Sequence, residues 1–235
     1  GSQLSIAVPA GVSHDVWTAG NFAPRVMQPM NDVDFEVEVK LDSVLDTQFQ
    51  MQGILVEQDS ANFIRFDFFS DGTDTRVFAA TFTNGNPTTR NNAVIPSGVP
   101  QYMRVQRQGN QWTQWYSQDG INWTMATSFT HVLTATSVGL FAGNAGTSPP
   151  AHTALFDYFA VVTGLAGDLA PRGAPDGQLN GADLLIMQRI VLGVITATPF
   201  DLLQGDHYPP GSPDGVIDMS DLVLQYQLIL PAVTP

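Results

Sequence analysis

The chain contains no cysteine and almost no lysine. In 235 residues Lys40 is the only lysine, and 9 basic residues face 22 acidic ones, giving a formal net charge of −13. Without cysteine the protein forms no disulfide and has no cysteine nucleophile. Because nucleic acids and anionic membrane surfaces attract clustered Lys and Arg, we expect neither as a partner.

Long hydrophobic runs are also missing. No segment reaches the roughly 18 consecutive apolar residues of a membrane span, so we predict no membrane insertion. The chain also lacks a Gly-rich phosphate loop, a serine elbow motif and metal-ligand spacing among its four histidines. Low lysine content and abundant uncharged polar residues are typical of extracellular bacterial proteins, and we therefore expect a secreted protein.

Residues 1–163 have the pattern of short antiparallel strands. Phe35, Val37, Val39 and Leu41 alternate with charged residues, and turn signals such as Gly109-Asn110 recur along the segment. No helical periodicity interrupts this region. The pattern predicts an all-β antiparallel sandwich over residues 1–163.

Residues 164–235 change to a helical period and carry one acidic pattern twice. Apolar stripes begin at Leu184 and Leu222, which predicts two short helices that pack on each other. Before each stripe, acidic or amide residues occur at offsets 0, 8, 12 and 15, and the second copy follows the first by 38 residues. Such oxygen-bearing side chains around an Asp-Gly turn are the ligands that calcium prefers.

The duplicated pattern resembles the calcium loops of dockerin type I domains over residues 167–230. The resemblance implies a small all-α domain over 164–235, with paired loop–helix elements and two bound Ca²⁺ ions. It also implies the ligands. In the first loop they are Asp168, Asp176, the carbonyl of Gln178, Asn180 and Asp183; in the second they are Asp206, Asp214, the carbonyl of Val216, Asp218 and Asp221.

Two alternatives stay open for this tail. The Asp-Gly and Asp-Leu pairs are also what turns and helix N-caps require, with no metal involved. Pro-rich insertions, 171–175 and 209–213, displace one usual calcium ligand in each copy. If the resemblance extends to function, a cohesin-like domain is a partner; otherwise the tail is a calcium-stiffened spacer.

The sandwich resembles concanavalin A-like, laminin-G-like jelly rolls, a type found as accessory domains in bacterial polysaccharide-degrading enzymes. The resemblance is carried by the segments 52–59, 102–105, 115–120, 138–142 and 156–159. It implies a fold more firmly than a function, because this fold hosts lectins, adhesins, hydrolases and inert spacers.

Strand alternation suggests a sugar-binding site on one sheet face. If the apolar neighbours point into the core, then Arg65, Asp67, Arg104 and Trp115 all point outward. An exposed Trp ring packs on sugar C–H groups, while planar charged groups bind hydroxyls. The alternative is that Trp115 is covered and the charged residues form ordinary cross-strand pairs.

Together these patterns favour a non-catalytic, calcium-binding and carbohydrate-binding module pair from a secreted polysaccharide-active protein, with a polysaccharide or glycan as partner. A structural or adhesive spacer without sugar affinity is the alternative. A glycoside hydrolase is a third reading, because Glu36 and Glu38 share one strand face at the separation that two catalytic carboxylates require.

Overall fold

We describe the protein from a computed structural model, which covers residues 3–18, 20–163, 166–172, 178–210 and 213–230. The chain divides into two compact units, Gly1–Phe159 and Ala160–Pro235. The first unit is a β-sandwich, and the described residues of the second include helices.

The described residues contain fourteen strands. Their bounds are β1 Leu4–Val8, β2 Val16–Trp17, β3 Gly20–Asn21, β4 Arg25–Pro29, β5 Phe35–Leu41, β6 Met51–Glu57, β7 Phe63–Ser70, β8 Thr75–Thr83, β9 Asn86–Ile95, β10 Gln101–Gln108, β11 Gln111–Ser117, β12 Thr124–Thr130, β13 Ser137–Gly143 and β14 His152–Thr163.

Two six-stranded sheets form the sandwich within the described residues. The first has the order β1-β14-β5-β10-β11-β12 and the second has the order β4-β13-β6-β7-β8-β9. Side chains that alternate inward from both sheets fill the space between them, and Val37, Met103 and Trp112 are completely buried there. Phe66 of the second sheet meets Trp112 of the first at 6.3 Å between ring centroids. The predicted antiparallel sandwich is therefore confirmed.

Tight turns set the register of the hairpins. Asn84 and Gly85 join β8 to β9, and both have positive φ angles of 52° and 77°. Two residues in that region form the turn whose twist matches paired strands, and Gly and Asn adopt it most readily. Gly109 adopts φ 58° at the predicted turn between β10 and β11.

The outer face of the second sheet is covered by the segment that carries β2 and β3. Val16 is completely buried in that face. The ring of Trp17 lies 6.0 Å from that of Phe78. The Nη1 atom of Arg65 donates a hydrogen bond of 2.8 Å to the carbonyl of Val16. This segment therefore makes a second buried layer on a face that would otherwise meet water.

The second unit contains three short helices within its described residues, α1 Gly181–Val191, α2 Pro199–Gly205 and α3 Met219–Ile229. The two predicted stripes form its core, where Leu184, Met187 and Leu222 are buried around Leu169. The helix α2 was not expected from the sequence. In the described residues no helix is long and apolar enough to span a membrane.

Candidate functional site

The outer face of the first sheet brings charged and aromatic side chains together. The register pairs Arg104 on β10 with Glu38 on β5 and with Trp115 on β11, so all three lie on one surface. Their strand neighbours point into the core. We define the polar aromatic face by six outward residues: Glu36, Glu38, Tyr102, Arg104, Trp115 and Trp123.

Arg104 is at the centre of this face. Its Nη2 and Nε atoms donate to Oε2 of Glu38 at 2.7 and 3.1 Å. The same Nε lies 3.3 Å from Oε1 of Glu36. The guanidinium also lies over the ring of Trp123, 4.2 Å from its centroid. Because charge pairing and ring contact both restrain it, Arg104 is held in one orientation.

Glu38 is the most constrained carboxylate of the face. It is buried, and the hydroxyl of Tyr158 on β14 donates to its Oε1 while Arg104 occupies Oε2. Glu36 is more exposed and accepts a hydrogen bond of 3.1 Å from Nε2 of Gln106. The face is therefore a preformed array of donors and acceptors rather than a set of free surface charges.

A tight turn after β11 places Trp123 on the face. The carboxylate of Asp119 accepts the backbone N–H groups of Ile121 and Asn122 at 2.9 and 2.7 Å, which closes the turn. Gly120 has φ +75°, and a Cβ at that position would lie 3.0 Å from the ring of Tyr102. Only glycine therefore allows both the left-handed backbone and the packing of Tyr102.

Burial raises the pKa values of two groups at the face, Glu36 and Tyr158. Burial, assisted by the charge of Glu38, raises the pKa of Glu36, while Arg104 opposes the rise. Burial raises the pKa of Tyr158, and the adjacent Glu38 carboxylate raises it further, so the hydroxyl stays protonated and donates.

The structure brings together only half of the predicted sugar site. Arg104 and Trp115 lie opposite each other across β10 and β11, as expected. Arg65 and Asp67 lie on β7 of the other sheet and are buried beneath the β2–β3 segment. The four-residue site is therefore wrong, because alternation fixes which side of its own sheet a residue faces but not which sheet it joins.

Three aromatic residues at the polar aromatic face were not predicted from the sequence. Trp123 meets Tyr102 at 6.4 Å between ring centroids, and Tyr102 meets Tyr158 at 6.5 Å. The turn residues between Ser117 and Trp123 carried a usable signal, since an Asp-Gly turn reverses the chain beside β10. Nothing local indicated Tyr158, which reaches the face only because β14 lies beside β5.

In the helical unit, the predicted calcium ligands act as caps and turn acceptors. Oδ1 of Asp183 accepts the N–H groups of Leu169 and Ala170, both at 2.8 Å. Asp221 accepts those of His207 and Tyr208 in the same way, at 2.7 and 2.8 Å. The two copies thus have equivalent geometry around the last acidic residue.

The remaining predicted ligands vary in their surroundings. Asn180 and Asp218 are the N-caps of α1 and α3. Asp168 is completely buried, and Asp214 accepts the N–H of Val216 at 3.0 Å. Asp176 lies outside the described residues. The first predicted calcium loop, to which the carbonyl of Gln178 also belongs, is therefore described only in part. Within the described residues no group of three His, Asp or Glu side chains is placed to hold a metal ion.

Asp206 is the first acidic residue of the second copy. It is buried; its Oδ2 accepts the N–H of Gly215 at 2.6 Å, and its Oδ1 has no hydrogen-bond partner among the described residues. Burial, together with the charges of Asp221 and Asp214, raises its pKa to about 6. A buried carboxylate oxygen beside two other carboxylates is a site that a cation would stabilise.

Residues 5–161 match the family described as "Protein of unknown function (DUF1349)". The match covers the sandwich and ends before the first helix, α1. No curated protein matches the chain.

Solved structures share the sandwich. The GH43 protein BlXynB from Bacillus licheniformis has a TM-score of 0.55 and 18% identity over 68% of this chain and 32% of that one. A functionally unknown protein from Saccharomyces cerevisiae has a TM-score of 0.57 and 14% identity, over 69% of this chain and 89% of that one. A xylan beta-1,4-xylosidase from Bacillus halodurans C-125 has a TM-score of 0.50 and 16% identity, over 60% of this chain and 30% of that one.

The chain spans about a third of the length of the two Bacillus proteins. At these identities the likeness shows the fold alone, a jelly-roll type that carbohydrate-active proteins also use.

The predicted dockerin-type domain is wrong. The family match and the similar structures support a sandwich and give no calcium-loop relative, and the described tail has only three short helices. The physical reason is that Asp and Asn cap helices with the same oxygen atoms that bind a hard cation. The cohesin-like partner rests only on that resemblance and is not shown. The two Ca²⁺ ions stay a prediction.

Proposed function

Since this chain belongs to the DUF1349 family, whose description gives no function, we propose a function from its geometry: the sandwich binds carbohydrate on the polar aromatic face. The observation that carries the proposal is Arg104, held between Glu38 at 2.7 Å and the ring of Trp123 at 4.2 Å, with Trp115 directly opposite.

The chemistry of the face suits a sugar. Partly exposed Trp and Tyr rings offer apolar area for sugar C–H groups, while the fixed charges of Arg104 and Glu36 offer donors and acceptors for hydroxyls. Because these groups are already oriented, binding orders few side chains and keeps more of its interaction energy. In keeping with the chain's composition, we propose a secreted module that attaches to polysaccharide.

We propose binding without catalysis. Glu36 and Glu38 contact the same Nε atom of Arg104, at 3.3 and 3.1 Å, so the guanidinium occupies the position between the two carboxylates. In glycoside hydrolysis by two carboxylates the scissile bond lies between them. Release of reducing sugar by the wild type, lost in Glu36→Gln, would instead favour the hydrolase.

We expect Trp115→Ala and Trp123→Ala to weaken glycan binding at least about tenfold each, the equivalent of losing one ring contact of about 1.4 kcal/mol. A glycan array identifies ligands, and titration calorimetry measures affinity. Xylan is the first glycan to test, because a xylan beta-1,4-xylosidase has a similar fold. Phe22→Ala, which removes an exposed ring elsewhere on the sandwich, should leave affinity unchanged.

Two results would contradict this proposal. Wild-type affinity in both Trp variants, with melting temperatures preserved, would place the binding site elsewhere. Absence of binding to any glycan at millimolar concentration would favour the alternative of a structural or adhesive spacer.

We also propose that the second acidic loop binds one divalent cation of the calcium type. Asp206 supports this because its buried Oδ1 has no partner in the described residues, and Asp214 and Asp221 add negative charge beside it. Asp206 would supply a ligand to the ion, whose positive charge would offset the nearby charges of Asp214 and Asp221 and fasten the loop to α3.

Calcium should therefore raise the melting temperature of the helical unit, and a chelator should reverse the gain. Asp206→Asn should abolish the calcium response and, without calcium, should melt no lower than the wild type because it removes a buried charge. Asp74→Asn in the sandwich is the charge-matched control. Equal melting of the wild type with calcium and with chelator, and no heat of binding, would refute the site.

A further inference from the structure

The charges on and beside the polar aromatic face are unequal, and its cations are already paired. Arg104 is bound to Glu36 and Glu38, and Lys40 lies 2.7 Å from Asp157 and 3.6 Å from Asp42. Four carboxylates therefore surround two cations, which leaves a formal charge of −2. A negatively charged ligand can therefore form an ion pair with either cation only by competing with an existing one.

We infer that this face selects uncharged glycans and excludes polymers of uronic acids. The inference rests on the proposed carbohydrate site and specifies its ligand class. A sugar hydroxyl fits the array, because it donates to a carboxylate and accepts from a guanidinium in one contact. A sugar carboxylate can only accept, so it must displace Glu36 or Glu38 from Arg104 while lying in a negative field.

Glu36 is the residue that sets this selectivity. Its side chain keeps 23% of its surface exposed, whereas that of Glu38 keeps 8% and is held by Tyr158 from behind. A ligand approaching the face therefore meets the carboxylate of Glu36 first. The pKa of Glu36 is raised by burial and by Glu38, which agrees with two carboxylates repelling in a partly dehydrated place.

Glu36→Gln tests the assignment with an isosteric change. The variant removes one negative charge and leaves Arg104 with only Glu38 as a charged partner, so a sugar carboxylate can take the vacated place. We expect binding of polygalacturonate to strengthen while binding of neutral xylan or glucomannan weakens, because a hydroxyl acceptor is lost. The ratio of the two affinities should change at least tenfold towards the uronate.

Affinity electrophoresis at low and high salt, with polygalacturonate, alginate, xylan and glucomannan, measures this ratio. Asp74→Asn also removes one negative charge, but away from the polar aromatic face. Its ratio of uronate to neutral-glycan affinity should match that of the wild type. Salt should improve wild-type binding to uronates, since it screens repulsion, and should barely change binding to neutral chains.

Tight wild-type binding to uronates that equals binding to neutral chains would overturn the inference, as would an unchanged ratio in Glu36→Gln. If binding remains sensitive to Trp115→Ala in that case, the carbohydrate site stands and only its selectivity is wrong. If no glycan is bound at all, both fail.

Discussion

Replacing Asp67 with alanine should lower the free energy of unfolding of the sandwich by about 3–5 kcal/mol, the range seen when one member of a buried ion pair is removed. Asp67 is completely buried, and its two oxygens accept from Nε and Nη2 of Arg65 at 2.6 and 2.9 Å. Without Asp67, the guanidinium stays buried over the ring of Phe78, 4.9 Å from its centroid, and its only remaining acidic neighbour among the described residues is Asp15, 3.9 Å from Nη1.

Urea unfolding followed by tryptophan fluorescence measures this loss. The double variant Arg65→Met, Asp67→Leu should recover to within about 1 kcal/mol of the wild type, because an apolar pair suits an aromatic surrounding. Asp71→Ala removes a half-buried ion pair with Arg76 and two backbone hydrogen bonds of a surface turn, and should cost about 1–2 kcal/mol. A loss in Asp67→Ala no larger than that of Asp71→Ala would show that the pair is not enclosed as described.

Acidification should destabilise the sandwich by about 3 kcal/mol between pH 6.5 and 4 through His152 alone, since one pKa unit corresponds to about 1.4 kcal/mol. His152 is buried, and its Nε2 lies 3.0 Å from Oε1 of Gln52, which is completely buried as well. Burial lowers the pKa of His152 to about 4, and nearby Asp46 only partly opposes this.

The direction follows from proton binding. The unfolded chain protonates this histidine near pH 6.5, whereas the folded protein resists protonation until about pH 4. The stability contributed by neutral His152 is therefore complete above pH 6.5 and lost as the pH falls through that window. Hydrogen bonds from the backbone and from Arg76 lower the pKa of Asp71 to about 2. Asp71 therefore affects the free energy of unfolding only at lower pH.

His152→Gln should flatten the stability profile between pH 6.5 and 4, and the difference from the wild type isolates His152 because all other titrating groups are shared. His14→Gln, which changes a more exposed histidine, should keep the wild-type slope. If the two variants gave the same profile in this window, His152 would not be the group responsible.

The sequence predicts strands and turns here better than it predicts which strands become neighbours. Alternation in Phe35–Leu41 and the turn at Gly109 depend on adjacent residues, and both are confirmed. Arg65 and Arg104 have the same alternating context, yet the topology assigns them to opposite sheets. The covering segment at Val16 and Trp17 has no periodicity, so the burial of Arg65 could not be read from the chain.

The acidic tail shows a different limit, one of chemistry rather than topology. Its period correctly predicts α1 and α3 and their shared core. The carboxylate oxygens of Asp221 can accept backbone N–H groups in a helix capping box or bind a cation. Residue spacing alone does not separate these two roles. The unpartnered oxygen of Asp206 becomes visible only once the surrounding backbone is placed.

The pairing of β1 with β14 has a consequence for how this sandwich is combined with other segments. Leu4 lies opposite Phe156 and Val8 opposite His152, so the first strand begins close to Phe159, where the compact sandwich unit ends. Such a unit can be grafted into a surface loop of a host protein without stretching either junction, and opening one of its hairpins to create new termini requires only a short bridge between the old ones.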